Sequence, residues 1–231
     1  MSVRVGRIVK GKHPSFEGFI PIVVMTKSSK YGEIGPYCLK NEFNQIMENK
    51  FQFSKLYSEV PETTQTYSRW DPRVIWDWPA QIHLKDGEPT EDYWKWREAG
   101  MNAAEAIRYP VGTTHRHKCL YALTDDGHKL DYVEGRKQIY LPEYVNLAKK
   151  HPTFHKLQKW LKEGKNLLII EIDGPHQEDL QYYKDKYDID DDFIVQNTMI
   201  ANEENLEIML NDTKNPYGHS YCLAGALLGI Y

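Results

Sequence analysis

The sequence predicts an α+β chain, a single mixed, helix-rich domain. Two short apolar runs of strand length, Phe19 to Met25 and Leu167 to Ile172, lie far apart, separated by longer segments of helical composition. No internal repeat, low-complexity tract or linker rich in Pro, Gly or Ser divides the 231 residues.

Taken in order, Phe19 to Met25 reads as a buried strand with Pro21 near its start. A Lys27 to Lys30 loop, a short second strand at Tyr37 to Lys40 and a turn at Asn41 to Asn44 follow. A helix is expected from about Met47 to Tyr57, then a loop-rich stretch from Glu59 to Asp77, broken by Pro61 and Pro72. Glu91 to Ala106 has helical composition, with Thr90 as its N-cap. Lys118 to Leu123 reads as a strand leading into a hairpin turn at Thr124 to Gly127. Helical pattern returns from about Gln138, restarts after Pro152 and stops at Gly164. The Leu167 to Ile172 strand is followed by helices at Gln177 to Tyr187 and Asn202 to Leu210 and by an apolar helix from about Ser220.

A mass of 27.1 kDa suffices to bury a full core, and 41% hydrophobic with 27% charged residues is ordinary for a soluble globular protein. No run approaches the ~18 apolar residues of a membrane span, and the N-terminal residues lack the apolar core of a signal peptide, so a cytoplasmic location is expected. Cys38, Cys119 and Cys222 form no CxxC pair. A net charge of −4 gives no global basic footprint, leaving any nucleic-acid contact to a local patch. Five of the six Trp fall between Trp70 and Trp96, either as core packing or as a stacking surface for a base.

The densest chemistry lies in Glu48-Asn49-Lys50-Phe51-Gln52-Phe53-Ser54-Lys55. On a helix, Glu48, Gln52 and Lys55 share a polar arc of roughly 60° beside Phe51. A carboxylate, an amide and an amine on one stripe supply a proton donor or acceptor and an amine nucleophile if the stripe lines a cleft, and an ordinary solvated face if it does not. His115-Arg116-His117 beside Cys119 reads as a metal ligand pair, a phosphate-facing strand edge reinforced by Arg108 and Lys118, or a plain edge. The acidic run at Asp188 to Asp192 lacks the glycine and glutamate of a calcium loop.

In its wider setting this stretch resembles the NADAR family. Tyr31-Gly32-Glu33-Ile34-Gly35-Pro36-Tyr37 precedes Glu48-x-x-Phe51-Gln52-x-x-Lys55 as an aromatic-Gly-x-Leu-Ser-Asn-Phe segment precedes Glu-His-x-Phe-Gln-x-x-Lys in that family. Tyr144 to Gly164 with Pro152, then Leu167 to Glu171, is similar to its helix, Pro break, Gly turn and Leu-Val-Glu strand. Asn211-Asp212, Tyr217-Gly218-His219 and Cys222 to Leu228 are similar to its ending. The departures are Asn49 for His, Gly35-Pro36-Tyr37 for Ser-Asn-Phe, and Tyr132 and Tyr217 at Trp positions, with a Trp-rich insertion at about 58 to 130.

The resemblance implies a NADAR-like fold and an N-glycosidase that cleaves ADP-ribosyl conjugates, such as ADP-ribosylated guanine in nucleic acid or nucleotides, without cofactor or metal. It implies Glu48 as the acid/base or charge-stabilising group and Lys55 as an amine that contacts the ribose or forms a transient Schiff base. Asp212 would bond a ribose hydroxyl or orient the cleaved bond. Lys27, Lys30 and Arg136 are expected to hold phosphates, Tyr37, Tyr132 and Tyr217 to stack on adenine or ribose, and Gln52 and Gly218 to complete the substrate site. Two alternatives stand beside this: a non-catalytic protein that sequesters ADP-ribose-like nucleotides, and an N-glycosidase of a small riboflavin-pathway N-riboside.

Overall fold

The computed structural model describes residues 1–25, 29–65 and 76–231. In chain order the elements are β1 (Val3–Arg7), β2 (Phe19–Val23), α1 (Met47–Gln52), β3 (Lys55–Leu56), β4 (Glu59–Val60), β5 (Thr63–Gln65) and β6 (Trp76–Trp78). Then come β7 (Gln81–Ile82), β8 (Leu84–Lys85), β9 (Glu88–Pro89), α2 (Glu91–Met101), β10 (Tyr121–Leu123), β11 (Lys129–Leu130) and α3 (Tyr132–Gly135). A π-helical turn (Arg136–Tyr140) passes into α4 (Leu141–Lys149), followed by α5 (Pro152–Lys162), β12 (Asn166–Glu171), α6 (Leu180–Tyr187), β13 (Thr198–Ile200), α7 (Glu203–Asn211) and α8 (His219–Leu228). Helix outweighs strand and the sheets are mixed, as the composition predicts. The chain forms two compact units, Met1–Gly35 with Leu141–Tyr231, and Pro36–Tyr140.

The first unit is built on a sheet of order β13-β1-β12-β2, in which β1, β12 and β2 run parallel and β13 antiparallel to β1. Parallel strands covered on both faces read as unbroken apolar runs, and Leu167 to Ile170 of β12 is such a run, wholly buried. Pro21, with no N–H to give the ladder, is tolerated because β2 is an edge strand. Against β1 and β12 lies α8, buried over nearly its whole length because its Ser220 to Leu227 segment is apolar or small on every side. It is held laterally by α4, α5 and α7.

The second unit carries a three-stranded antiparallel sheet, β11-β10-β3, and the two-stranded pairs β4-β7, β5-β6 and β8-β9. Its core is aromatic: Phe53, Tyr57, Trp76, Tyr93 and Trp96 are all buried together. The Phe53 ring lies 4.5 Å from Trp96 and 4.9 Å from Trp76. Gly100 makes this possible, since a Cβ there would meet the Phe53 ring at 2.0 Å. In the Trp-rich segment, Trp76 and Trp96 are thus core residues, while Trp78 stacks on Trp76 and Trp94 stays exposed. Trp70 lies outside the described residues.

Several expectations shift. The helix expected to reach Tyr57 stops at Gln52, because Lys55 and Leu56 pair with Ala122 and Tyr121 and Phe53 is drawn into the aromatic core. Tyr37 to Lys40 forms no strand beyond a single bridge from Lys40 to Ile46. The helix entered through Thr90 ends at Met101 rather than Ala106, with Thr90 Oγ1 accepting from the Tyr93 N–H as expected. Lys118 belongs to a 3-10 turn, Arg116–Lys118, and the strand begins only at Tyr121. The helical segment expected from Gln138 starts earlier, at Tyr132. Strands β1 and β13 were not legible beforehand. Arg4 in β1 is buried nonetheless, its Nε donating to Thr198 Oγ1 of β13 and its guanidinium stacked 3.9 Å over Phe16. Among the described residues no helix is long and apolar enough to cross a membrane.

Candidate functional site

In the second unit α1 and β3 bring together the three residues of the predicted polar stripe. Glu48 is buried, in the first turn of α1, and its backbone N–H is taken by the Pro36 carbonyl. Gln52 Nε2 donates to Glu48 Oε1 at 2.8 Å, and Lys55 Nζ donates to Gln52 Oε1 at 2.9 Å. This orientation of the Gln52 amide is the one that satisfies both neighbours, oxygen toward the amine and nitrogen toward the carboxylate. The stripe therefore survives the early end of the helix, with Lys55 supplied from the first residue of a strand.

Lys55 Nζ sits 4.5 Å from the centre of the Phe51 ring, which itself packs on Tyr140. Burial lowers the Lys55 pKa, against the opposing pull of Cys119 and Glu48. Burial likewise raises the pKa of the neighbouring Cys119 thiol, which Lys55 opposes. An amine eased toward its neutral form and joined through an amide to a carboxylate can act as a nucleophile or exchange protons with a bound group.

Asn49, which stands where the resemblance expects His, is fully buried and has a structural task. Its Nδ2 donates to the carbonyls of Ala103 and Glu105, and its Oδ1 accepts from the Ile107 N–H at 2.7 Å. It pins the segment that follows α2. Next along that segment, Arg108 lies 5.5 Å from the Tyr37 ring and 5.6 Å from the Tyr109 ring, and Arg116 stacks 5.0 Å over Tyr109. Of the other residues expected to bind substrate, Arg136 is buried in the π-helical turn with its guanidinium 4.1 Å over the exposed ring of Tyr132.

Asp212, Tyr217, Gly218 and Lys30 lie in the first unit. Asp212 is buried and its oxygens are already shared: Oδ1 accepts from Tyr182 and Lys186, Oδ2 from Tyr183 and from the N–H groups of Lys214 and Asn215. Burial alone would raise its pKa, but these donors, led by Tyr182, bring it below the ordinary aspartate value. Tyr217 is buried, stacked 4.9 Å from Tyr221, with its hydroxyl 2.8 Å from that of Tyr231. Lys30 is exposed, its amine 5.6 Å from the Tyr31 ring. Lys27 lies outside the described residues. His115 and His117 do not alternate on a strand face, since the chain there is a turn; His115 Nδ1 faces Thr114 Oγ1 and His117 Nε2 accepts from Arg116. Among the described residues no cluster of three or more His, Cys, Asp or Glu is placed to hold a metal ion.

One constellation of the first unit was not anticipated as a unit. Glu171, at the end of β12, accepts from the Ser220 N–H and hydroxyl through Oε1, and from His219 Nδ1 through Oε2 at 2.6 Å. His219 Nε2 faces the Val24 carbonyl at 2.7 Å, so both ring nitrogens donate and the imidazole is held protonated, its pKa raised above the usual value mainly by Glu171 against the cost of burial. The arrangement ties the start of α8 to the ends of β12 and β2. Gly218 is required by it, since a Cβ there would fall 1.6 Å from Glu171 Oε1. The signal was a carboxylate ending an otherwise apolar strand, which must find buried partners.

No family model matches the chain, and no curated protein and no solved structure matches it.

Proposed function

We propose that the protein is an N-glycosidase acting on ADP-ribosyl conjugates, with Glu48 and Lys55 as the reacting pair. The observation that supports this is the relay Glu48–Gln52–Lys55, in which a lysine of lowered pKa is coupled to a buried carboxylate. Cleavage of a C–N glycosidic bond develops positive charge at the anomeric carbon, and the departing nitrogen takes up a proton while water supplies the new hydroxyl. In this reading Glu48 stabilises the cationic carbon or accepts the proton of the attacking water. Lys55, presented over Phe51, contacts the ribose or adds to its opened aldehyde, the step that a depressed amine pKa favours. Asp212 takes part through a ribose hydroxyl only by displacing Tyr182 or Lys186, so the chemistry is assigned to the second unit.

The test is incubation of purified protein with ADP-ribosylated guanine DNA, ADP-ribosylated guanosine nucleotide and NAD, following free ADP-ribose by mass spectrometry. Glu48→Gln and Lys55→Ala are each expected to lower turnover by about 10²–10⁴-fold while leaving binding largely intact. Turnover unchanged in both variants would remove these roles. Binding of ADP-ribose with no release from any conjugate would replace the enzyme with a sequestering protein.

A further inference from the structure

Arg108 is, with Lys55, a described cation coupled to Glu48. It is half-buried, hydrogen-bonded to the Tyr37 side chain, and its guanidinium interacts electrostatically with Glu48 as well as with Tyr37 and Tyr109. Its Nε–H is buried and has no acceptor among the described residues. An unmet buried donor on a charged group carries a desolvation cost, which is relieved when a ligand oxygen takes it. The guanidinium carbon lies 5.5 Å from the centre of the Tyr37 ring and 5.6 Å from that of Tyr109, and Arg116 adds a further cation over Tyr109. A planar donor fork suits the paired oxygens of a phosphoryl group, which a lysine cannot match. Arg108 and Arg116 bring positive charge to this segment, and Arg108 is coupled to the carboxylate of Glu48.

The segment that carries Arg108 is held by Asn49, through its three hydrogen bonds to the backbone of Ala103, Glu105 and Ile107. Glu48 and Asn49 are adjacent on α1. One helix thus provides the carboxylate of the relay and the clamp that fixes the position of the guanidinium. We propose that Arg108 binds a phosphate or pyrophosphate group of the substrate beside Glu48, and that Asn49 is its positioning residue. The identity of the whole substrate rests on the glycosidase reading; the oxyanion site does not.

The probe is inorganic pyrophosphate, titrated calorimetrically into the full chain and into Arg108→Ala, Arg108→Lys and Asn49→Ala, each checked for folding by near-UV circular dichroism. Both Arg108 variants are expected to weaken binding by about tenfold or more, the lysine failing for want of the fork. Asn49→Ala is expected to weaken it less, and the Asn49→Ala/Arg108→Ala double variant to match Arg108→Ala alone, which a merely structural asparagine would not do. Absence of pyrophosphate binding to the wild type at millimolar concentration, or unchanged binding in either Arg108 variant, overturns the proposal. ADP-ribose release by the wild type with KM unaltered in Arg108→Ala overturns it while the glycosidase reading stands. Arg108-dependent pyrophosphate binding without cleavage of any conjugate leaves the anion site and removes the glycosidase.

Discussion

Lys55 and Asn49 show how much depends on single side chains in this protein. Lys55 has a pKa below that of a free lysine, and a group that reacts as the neutral amine gains activity as pH rises through that lowered value. The rate of ADP-ribose release is therefore expected to climb with pH on an alkaline limb that lies below the ordinary lysine value of 10.5, and to be abolished in Lys55→Arg, whose guanidinium does not deprotonate. A flat profile over that range would argue that Lys55 acts only as a cation. Asn49→Ala leaves two carbonyls and the Ile107 N–H without their partner in a buried place, at an expected cost of about 1–3 kcal/mol in urea unfolding. The Glu48–Gln52 contact was legible because i,i+4 spacing on α1 defines it, whereas Lys55 meets Gln52 from β3, outside the helix whose spacing suggested it. The task of Asn49 was not, because its partners lie more than fifty residues away along the chain.

At the level of elements, α1 is shorter than its sequence suggests because pairing of β3 with β10 takes the chain at Lys55, and local helical pattern carries no information about a strand sixty-six residues further on. The long amphipathic elements were legible: α5 with its Pro start and Gly stop, β12 as an apolar run, the turn between β10 and β11. Strand β1 was hidden by its arginines, one of which is buried through a stack and a hydrogen bond that no local window reveals. Two glycines set close approaches between elements. Gly100→Ala would push a methyl into the Phe53 ring, and the expected outcome is a loss of about 1–3 kcal/mol with disturbed near-UV signal from the tryptophans. Gly218→Ala would collide with Glu171, and an unchanged unfolding midpoint there would show that α8 can shift to make room.

For the whole molecule, two buried histidines set opposing limits on stability against pH. His83, fully buried between Tyr93 and Trp96, has its pKa pushed down to about 4 by burial, so the unfolded chain takes up a proton that the folded one refuses. Its contribution is full above the ordinary value of 6.5 and falls away toward pH 4, on the order of 3 kcal/mol in all. The Glu171–His219 pair behaves differently. Glu171 has its pKa lowered, principally by His219 once the opposing cost of burial is overcome, so stability is lost as pH falls from 4.5 toward that lower value. His219 has its pKa raised, so stability is also lost as pH rises above 6.5 toward that higher value. Denaturant midpoints followed across pH are thus expected to decline on both sides, His83→Gln flattening the acid limb above pH 4 and Glu171→Gln lowering the whole curve by about 3–5 kcal/mol. An acid limb unchanged by His83→Gln would assign that loss to other groups.

The distribution of the cysteines gives this chain built-in clocks. No disulfide joins the three cysteines; Cys222 is sealed inside α8 in the first unit, whereas Cys38 and Cys119 are half-buried in the second. A thiol reagent reaches a sealed sulfur only when its surroundings open, so labelling rates under native conditions convert into opening free energies site by site. Mass spectrometry of the labelled peptides would time the breathing of each unit separately, with no residue added to the protein.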